Sequence, residues 1–434
     1  WNGMPDLNYE HPPVKQEMKN IANFWLNKGV DGFRLDAIKH LIEEGSNLEN
    51  TPANFSLIEE LNEVYKYTSP ESFTIGEAWS NTNSIIPYVK SGRLDACFDF
   101  DLASDIINAV NSASSLSLTA QIQTIVESYP ALQYGTFLTN HDMDRVYNQL
   151  GYNNEKMKLA ASIYLTLPGI PFIYYGEEIG MYGSGAHENI RRPMQWSSSL
   201  NAGFSNSTPW RTVGNNYTTN NVEIMNDDDG SLINHYKKII QIRNDQSSLR
   251  RGNILILEND NQEILSFVRT FRNKAVLVNC NLSSNSFSPI ISLLKSSIPE
   301  GNYNLSDLYN NKELGMIAIN TQGGFENINL FPSGLGPMES RIILLSPYPS
   351  NNTSSENDII ISPNPASSSF TVFLEGEPFQ KALVTVLSSD GKIILEKEMK
   401  EDLLIINAKN WSKGIYIVLF SNEDRRTVKK VIIN

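Results

Sequence analysis

The sequence predicts an α/β fold: five strands of a parallel TIM (β/α)8 barrel, then an antiparallel β-sandwich domain and a small C-terminal β-sandwich. Apolar strand-like runs alternate with helical patterns in the first part of the chain, and three of these runs end in a carboxylate. From about Leu255 onwards, short strands separated by polar turns replace this alternation. A polar, low-complexity segment then precedes a last set of alternating strands. The predicted domains are therefore 1–245, 246–347 and 359–434, with a linker at 348–358.

Composition excludes several kinds of partner. The chain has 434 residues, with 35 basic and 48 acidic side chains and a formal net charge of −13. This charge argues against nucleic acid or an anionic membrane surface as a partner. No run of about eighteen apolar residues is present, so no transmembrane helix is predicted. Cys97 and Cys280 fall in different predicted domains, and we expect two buried thiols rather than a disulfide.

The first predicted strand, 30–35, ends in a cluster of charged residues. Asp36, Lys39 and His40 follow it within five positions. Arg34 lies on the same face of the extended chain as Asp36, because side chains alternate along a strand. We expect a buried Asp36 paired with Arg34. Such a pair indicates either a catalytic site or a structural ion pair between neighbouring strands.

Two further predicted strands also end in an acid. The predicted strands 73–75 and 135–139 lie within the runs 73–79 and 135–142, which carry Glu77 and Asp142. The carboxyl ends of parallel strands meet at one mouth of a barrel, so we expect these acids and Asp36 to gather there. The remaining predicted strands of this part are 96–100 and 169–175, and helical patterns cover 14–26, 55–67, 156–167 and 233–240.

The three strand ends resemble the second, third and fourth signature regions of the α-amylase family, glycoside hydrolase family 13. The opening MPDLN at 4–8 resembles its auxiliary fifth region, and the resemblance covers about the first 345 residues. It implies that the five strands are the last five of an eight-stranded barrel, with the first signature region absent. We therefore expect an N-terminally truncated fragment that is unstable or inactive alone, because five strands leave two unpaired edges.

The resemblance implies a retaining glycoside hydrolase. Such enzymes need a carboxylate nucleophile and a carboxylic acid about 5–5.5 Å apart. The matching positions imply Asp36 as the nucleophile that forms a covalent glycosyl-enzyme, and Glu77 as the general acid and then base. They imply that Asp142 holds substrate hydroxyls and stabilises the transition state, with His141 hydrogen-bonded beside it. Arg34 would orient Asp36.

Substrate preference is predicted from residues near the acids. Lys39 and His40 resemble the pair that follows the nucleophile in endo-acting α-amylases, which implies an α-1,4-glucan or maltooligosaccharide substrate. Trp79 is a further predicted substrate contact. Alternatively, Lys39 and His40 form the first turn of a helix, and the segment 4–8 is shared with neopullulanase-like and maltogenic relatives. The main-chain carbonyl of His40 often joins the family's calcium site, so the resemblance implies calcium in the full-length enzyme.

Later loops carry weaker signals. Tyr175 and Trp196 follow the last predicted barrel strand, where they either stack on sugar rings or pack within the loops. The acidic run 227–230 lacks the ligand spacing of a calcium loop, so we interpret it as the solvated start of a helix. The predicted strands that follow are 264–269, 275–279, 301–308 and 340–345.

The C-terminal segment resembles the sorting domain of type IX secretion in Bacteroidetes. The resemblance rests on SPNP at 362–365, KGIY at 413–416 and KKV at 429–431, with a predicted hairpin turn at 388–391. It implies contact with the secretion machinery, export across the outer membrane, and a secreted or cell-surface protein whose tail is removed. The rival interpretation is a carbohydrate-binding module, which usually exposes several aromatics, whereas Trp411 is the only tryptophan in this segment.

Two classes of function follow from these patterns. The first is an exported, starch-degrading hydrolase. The second is a non-catalytic glycan-binding or scaffold protein on a degenerate hydrolase barrel. The presence of Asp36, Glu77 and Asp142 favours the hydrolase.

Overall fold

The computed structural model describes Gly3 and residues 5–348, 359–374, 382–399, 403–421 and 426–434. The chain divides into two compact units, residues 1–348 and 349–434. The predicted linker lies outside the described residues except for Tyr348, as do Met4 and the side chain of Leu374. The finer division of the first unit at 245 stays a prediction.

A parallel sheet forms the first part of the first unit, as predicted. Its five strands are hydrogen-bonded in chain order, and Gly32 lies opposite Phe73 where the first two strands begin. A Cβ atom at Gly32 would lie 1.8 Å from the Phe73 carbonyl oxygen, so only glycine fits this approach. The strands are β1 (Gly32–Leu35), β2 (Phe73–Gly76), β3 (Ala96–Phe98), β4 (Tyr134–Thr136) and β5 (Ile170–Pro171).

Helices alternate with these strands and cover the sheet. Four predicted strands are shorter than expected: β1 begins only at Gly32, β4 ends at Thr136 and β5 ends at Pro171. The fourth, β3, ends at Phe98 because Asp99 caps the next helix by accepting a 2.9 Å hydrogen bond from the Leu102 N–H. The α-helices are α1 (Pro12–Asn27), α2 (Pro52–Thr68), α3 (Thr82–Ile85), α4 (Phe100–Ser112), α5 (Leu116–Ser128), α6 (Val146–Gln149), α7 (Asn154–Thr166), α8 (His187–Ile190), α9 (Val222–Asn226), α10 (Leu232–Asp245) and α11 (Ser247–Arg251). Short 3₁₀ turns lie at Ile38–His40, Ile86–Val89, Glu177–Ile179 and Leu200–Gly203.

Two antiparallel sheets follow the helices in the first unit. The predicted strands are present, with additional short strands between them. Their side chains contribute to a shared apolar cluster that includes Val268, Leu277, Leu293 and Phe325. The six-stranded sheet has the order β12 (Lys312–Ile319), β11 (Gly301–Asp307), β14 (Ser340–Pro347), β9 (Lys274–Asn281), β8 (Ile264–Phe271) and β6 (Asn253–Ile256). The three-stranded sheet has the order β13 (Phe325–Ile328), β10 (Ile291–Leu293) and β7 (Glu258–Asn259).

The second unit is also built from antiparallel sheets. The predicted hairpin is confirmed, since the strands on either side of the turn at 388–391 pair with each other. Phe370 and Val372 point into the apolar core of the unit, as their alternation predicted. The strands are β15 (Ile359–Ser362), β16 (Ser369–Leu374), β17 (Ala382–Ser388), β18 (Ile393–Met399), β19 (Leu403–Asn407), β20 (Gly414–Ser421) and β21 (Arg426–Ile433).

Two further predictions concern cysteines and membrane spans. Cys97 and Cys280 are buried and unbridged, as expected, and burial raises the pKa of the Cys280 thiol to about 12. In the part of the chain that the structure describes, no helix has the length and apolar character needed to span a membrane.

Candidate active site

Strands β1 and β2 bring Asp36 and Glu77 to one guanidinium. Nη1 of Arg34 donates a hydrogen bond to Oδ1 of Asp36, and Nη2 lies 3.8 Å from Oε2 of Glu77. The parallel pairing of the strands continues beyond them, because the Glu77 N–H donates to the Leu35 carbonyl at 2.8 Å. Arg34 therefore links the predicted nucleophile and the predicted general acid.

The two carboxylates differ in exposure. The Asp36 side chain is 73% exposed, whereas that of Glu77 is 12% exposed. The expectation of a buried Asp36 is therefore wrong. Strand β1 is an edge strand among the described residues, with β2 on one side only, whereas β2 has neighbours on both sides. Glu77 is enclosed for that reason and Asp36 is not.

The main chain after Asp36 is also bonded to Glu77. The Ala37 N–H donates to Oε2 of Glu77 at 2.9 Å, and the Ile38 N–H donates to its carbonyl oxygen at 3.0 Å. Ala37 has a φ of 43° and lies in the left-handed region. The turn after β1 is thus joined to both the side chain and the main chain of Glu77.

Lys39 is engaged by the protein itself. Its Nζ donates to the Trp79 carbonyl oxygen at 2.9 Å and forms a 2.7 Å ion pair with Glu49. It lies in the 3₁₀ turn Ile38–His40, which agrees with the helical alternative for this pair. The ammonium group therefore ties the ends of β1 and β2 together.

His40 and Trp79 lie more openly. Nδ1 of His40 is 3.1 Å from the Leu48 carbonyl oxygen. The Trp79 ring stacks on Phe100 with centroids 4.8 Å apart, and the residue is 45% exposed. An exposed indole supported from below is suited to stacking against a sugar ring, and both residues stay predicted substrate contacts.

Asp142 lies in a separate cluster of charged residues after β4. Nη2 of Arg191 donates to its Oδ1 at 2.6 Å, and Nε2 of His141 lies 3.1 Å from its Oδ2. The Asp142 N–H donates to Oδ1 of Asn140 at 2.8 Å. His187 approaches the same carboxylate, with Nδ1 at 3.3 Å from Oδ1. Two segments, 140–141 and 187–191, therefore contact Asp142 and orient it.

A cavity of about 150 Å³ connects the two clusters. Arg34 and Glu77 lie at one part of its wall, and Asn140 and His141 lie at another. Aromatic rings at the ends of three successive strands contribute to its apolar surface: Phe98, Phe137 and Phe172. The structure therefore brings the β1, β2 and β4 ends to one mouth of the sheet.

Sequence patterns did not reveal the partners of Asp142. Arg191 lies some fifty positions away in a loop, and the IRRPMQW run at 190–196 gave no signal of which acid it would pair with. Tyr175, a candidate for sugar stacking, instead faces the Arg145 guanidinium at 4.7 Å and donates to the Arg192 carbonyl oxygen at 2.7 Å. Trp196 is 51% exposed.

The described residues do not form a complete metal site. No group of three or more His, Cys, Asp or Glu side chains that could hold a metal ion occurs among them. The acidic run at 227–229 is exposed and leads into α10, whose N-cap is Ser231, which agrees with a solvated helix start. Calcium requires roughly six to eight oxygen ligands, and the His40 carbonyl supplies one of them.

Comparisons with known proteins identify the family of the first unit. The model of the α-amylase catalytic domain matches residues 1–252. Alpha-amylase 3 of Dictyoglomus thermophilum is 37% identical over 296 residues, which cover 66% of this chain and 57% of the relative. Oligo-1,6-glucosidase of Parageobacillus thermoglucosidasius is 29% identical over 349 residues, which cover 64% of this chain and 61% of the relative. The chain thus spans less than two thirds of each of these relatives.

A solved structure and a second family model complete the comparison. The crystal structure of the α-amylase from H. orenii is 32% identical, with a TM-score of 0.62, and the match covers 80% of this chain and 67% of that one. Residues 361–434 match the secretion system C-terminal sorting domain, which indicates export to a secreted or cell-surface location. Both predicted resemblances are confirmed, and the chain belongs to the α-amylase family of glycoside hydrolases.

Proposed function

We propose that this protein is a retaining hydrolase that cleaves α-1,4-glucosidic bonds in starch or maltooligosaccharides. The observation that carries the proposal is the shared contact of Arg34 with an exposed Asp36 and an enclosed Glu77. Retention of configuration requires two neighbouring carboxyl groups with different roles. Their different exposure gives the two carboxyl groups the different surroundings that these two roles require.

In the proposed mechanism Asp36 attacks the anomeric carbon while Glu77 gives its proton to the departing glycosidic oxygen. The covalent glycosyl-enzyme is then hydrolysed by a water molecule, from which Glu77 takes a proton. Asp142, oriented by Arg191, accepts hydrogen bonds from substrate hydroxyls and stabilises positive charge on the sugar ring in the transition state. Trp79, Lys39, His40 and His141 contact the glucan.

We also propose that the parallel sheet is the last five strands of a TIM (β/α)8 barrel and that the antiparallel sheets of the first unit form a β-sandwich. The consecutive parallel order of β1 to β5 supports the first assignment. The apolar cluster to which both antiparallel sheets contribute supports the second.

Three further assignments belong to this proposal. The preference for α-1,4 over α-1,6 bonds rests on Lys39 and His40. A calcium ion would take the His40 carbonyl as one ligand, although no step above depends on it. The C-terminal unit is proposed as the part that contacts the secretion machinery, since its match lies wholly within residues 361–434.

The second candidate function is non-catalytic glycan binding. The exposure of Asp36 on an edge strand favours it, because an exposed carboxylate lacks the dry, fixed surroundings that strengthen electrostatic catalysis. In this case the aromatic and charged groups at the sheet mouth would hold a glucan without cleaving it.

A trapping experiment separates the two candidates. The full-length protein is incubated with a slowly hydrolysed fluorinated glucosyl fluoride, and peptides are analysed by mass spectrometry. A glucosyl adduct on Asp36 is the expected result. It should be absent in Asp36→Asn and present in the matched control Asp31→Asn, which alters an exposed acid just before β1. Glucan binding without any adduct or turnover would contradict hydrolysis and support the second candidate.

A further inference from the structure

A buried asparagine on α2 holds the turn that follows Asp36. Nδ2 of Asn54 donates to the Ile38 carbonyl oxygen at 2.7 Å, and its Oδ1 accepts from the Leu41 N–H at 3.1 Å. Asn54 is fully buried. One carboxamide therefore bonds to both ends of the turn, as a main-chain partner would.

The orientation of Asn54 is itself determined by neighbours. Its Nδ2 lies 3.1 Å from the Tyr88 hydroxyl, which donates to Oδ1 of Asn50 at 2.7 Å. The hydroxyl of Thr51 caps α2 by accepting from the Asn54 N–H, and it donates to the Ile42 carbonyl oxygen at 2.6 Å. The start of α2 is thus bonded to the same turn at a second point, and the carboxamide has little freedom to rotate.

The turn needs such support because Ala37 is left-handed, with φ 43° and ψ 39°. A residue with a Cβ atom is unfavourable in this region and stays there only when its surroundings hold it. In this conformation the Ala37 N–H points at Oε2 of Glu77, with a donor–acceptor distance of 2.9 Å. Any relaxation of Ala37 would turn that donor away.

The two oxygens of Glu77 consequently differ. Oε2 accepts from Ala37 and faces Nη2 of Arg34 at 3.8 Å. Both groups stabilise negative charge on Oε2. The proton of the carboxylic acid is therefore favoured on Oε1.

We propose that Asn54 is a positioning residue for the general acid: by holding the turn at Ile38 and Leu41, it keeps the Ala37 N–H on Oε2 of Glu77 and so assigns proton transfer to Oε1. The inference rests on the proposed function of Glu77. Asn54 itself does not touch substrate in this assignment. It acts through two main-chain groups, 38 and 41, and through Ala37.

The test is an NMR measurement on the whole chain labelled with ¹⁵N-alanine. The Ala37 signal is identified by its loss in Ala37→Gly, which keeps the N–H and tolerates a positive φ. We expect the Ala37 amide proton to shift with pH in the parent and to lose that dependence in Glu77→Gln. In Asn54→Ala the dependence should also disappear, and Ala37 should exchange with solvent about tenfold faster.

The matched control is Asn62→Ala on the same helix. Asn62 is also buried, donates to the Gly92 carbonyl oxygen at 2.8 Å, and accepts from the Thr74 hydroxyl at 3.3 Å. It should leave the Ala37 signal and its exchange rate as in the parent. If Asn54→Ala does not fold, Asn54→Asp retains the size and the acceptor for Leu41 while losing both donors. Parent-like Ala37 behaviour in every folded Asn54 variant would overturn the inference.

Kinetics give a readout that separates this inference from the hydrolase proposal. In the full-length protein, Asn54→Asp should lower kcat about tenfold with little change in KM, because Asn54 positions the acid without binding the glucan. A protein without hydrolytic activity, in which Ala37 still responds to Glu77 and Asn54 as expected, would contradict hydrolysis alone. A parent-like kcat in a variant that has lost the Ala37 contact would overturn the role of Asn54.

Discussion

The guanidinium of Arg191 donates a 2.6 Å hydrogen bond to Oδ1 of Asp142, although the two residues are 49 positions apart in the chain. Nε of the same arginine donates to the His141 carbonyl oxygen at 2.9 Å. Arg191 thus hydrogen-bonds to both the main chain and a side chain of the segment after β4. The carboxylate is therefore oriented by a loop that follows β5 as well as by its chain neighbour His141.

Replacing Arg191 by alanine should lower kcat/KM roughly 10- to 100-fold on a maltooligosaccharide, because a hydrogen bond to a charged group is removed. The loss should fall mainly on kcat if Asp142 acts in the transition state. Steady-state kinetics on the full-length protein measure it. Lys158→Ala, which breaks a surface ion pair with Glu155, is the control and should leave the kinetics unchanged. Parent-like kinetics in Arg191→Ala would contradict the proposal that Arg191 orients Asp142 for catalysis.

Glu177 should make the fold less stable as pH rises. Burial raises its pKa from 4.5 to about 7, and its Oε1 accepts hydrogen bonds from Tyr164 and Tyr236 at 2.9 and 2.6 Å. The folded state therefore holds a proton that the unfolded state releases. The contribution of Glu177 to the free energy of unfolding is fully present below pH 4.5 and is lost as pH rises through about 7. The effect is on the order of 3 kcal/mol. In urea unfolding, the change in stability from pH 5 to pH 8 should therefore be more positive in Glu177→Gln than in the parent, by about 3 kcal/mol.

His235 should have the opposite effect. Burial lowers its pKa from 6.5 to about 4, while its ring contacts the Tyr309 hydroxyl at 2.8 Å and the Lys158 carbonyl oxygen at 2.9 Å. In the unfolded state His235 then binds a proton that it does not bind in the folded state. The contribution of His235 to the free energy of unfolding is fully present above pH 6.5 and is lost as pH falls through about 4. It is again on the order of 3 kcal/mol. From pH 4 to pH 7 in urea unfolding, His235→Gln should therefore lose about 3 kcal/mol more stability than the parent, and a pH dependence equal to the parent's would contradict the assignment.

Glu177 and His235 should compensate each other in the pH dependence of the free energy of unfolding. Between pH 4.5 and 6.5 the folded state carries the proton on Glu177 and the unfolded state carries it on His235, so the pair contributes almost no slope. Each single substitution should expose the slope of the remaining group, with opposite signs. The double variant should return to the parent's pH dependence, and slopes of the same sign in the two single variants would exclude compensation.

Asn364 should protect the edge of the last strand. Its Nδ2 donates to the Lys430 carbonyl oxygen at 2.8 Å, and its Oδ1 accepts from the Ile432 N–H at 2.9 Å. Asn364→Ala should destabilise the second unit by about 2 kcal/mol and increase self-association, because an open strand edge pairs with other strands. Thermal unfolding and sedimentation measure both effects. Among the described residues, the side chain of Asn407 accepts a local hydrogen bond from the Lys409 N–H, so Asn407→Ala should change neither.

Much of the fold followed from local patterns. The five parallel strands and the hairpin around 388–391 were predicted because alternation and apolar runs are properties of neighbouring residues. Strand ends were less predictable: residue 100 was assigned to a strand, but the Asp99 cap begins a helix there. A cap competes with strand pairing, and only the folded chain decides between them.

The sequence by itself determined which acids occur, their order along the chain, and the strands that carry them, since these depend on residue type and spacing. Tertiary structure decided their surroundings. Asp36 is exposed because β1 lies at an edge of the sheet, and Glu77 is enclosed because β2 does not. The contacts of Arg191 with Asp142 and of Asn54 with the turn after Asp36 join distant segments. Such partners are selected by packing in three dimensions, which no local pattern encodes.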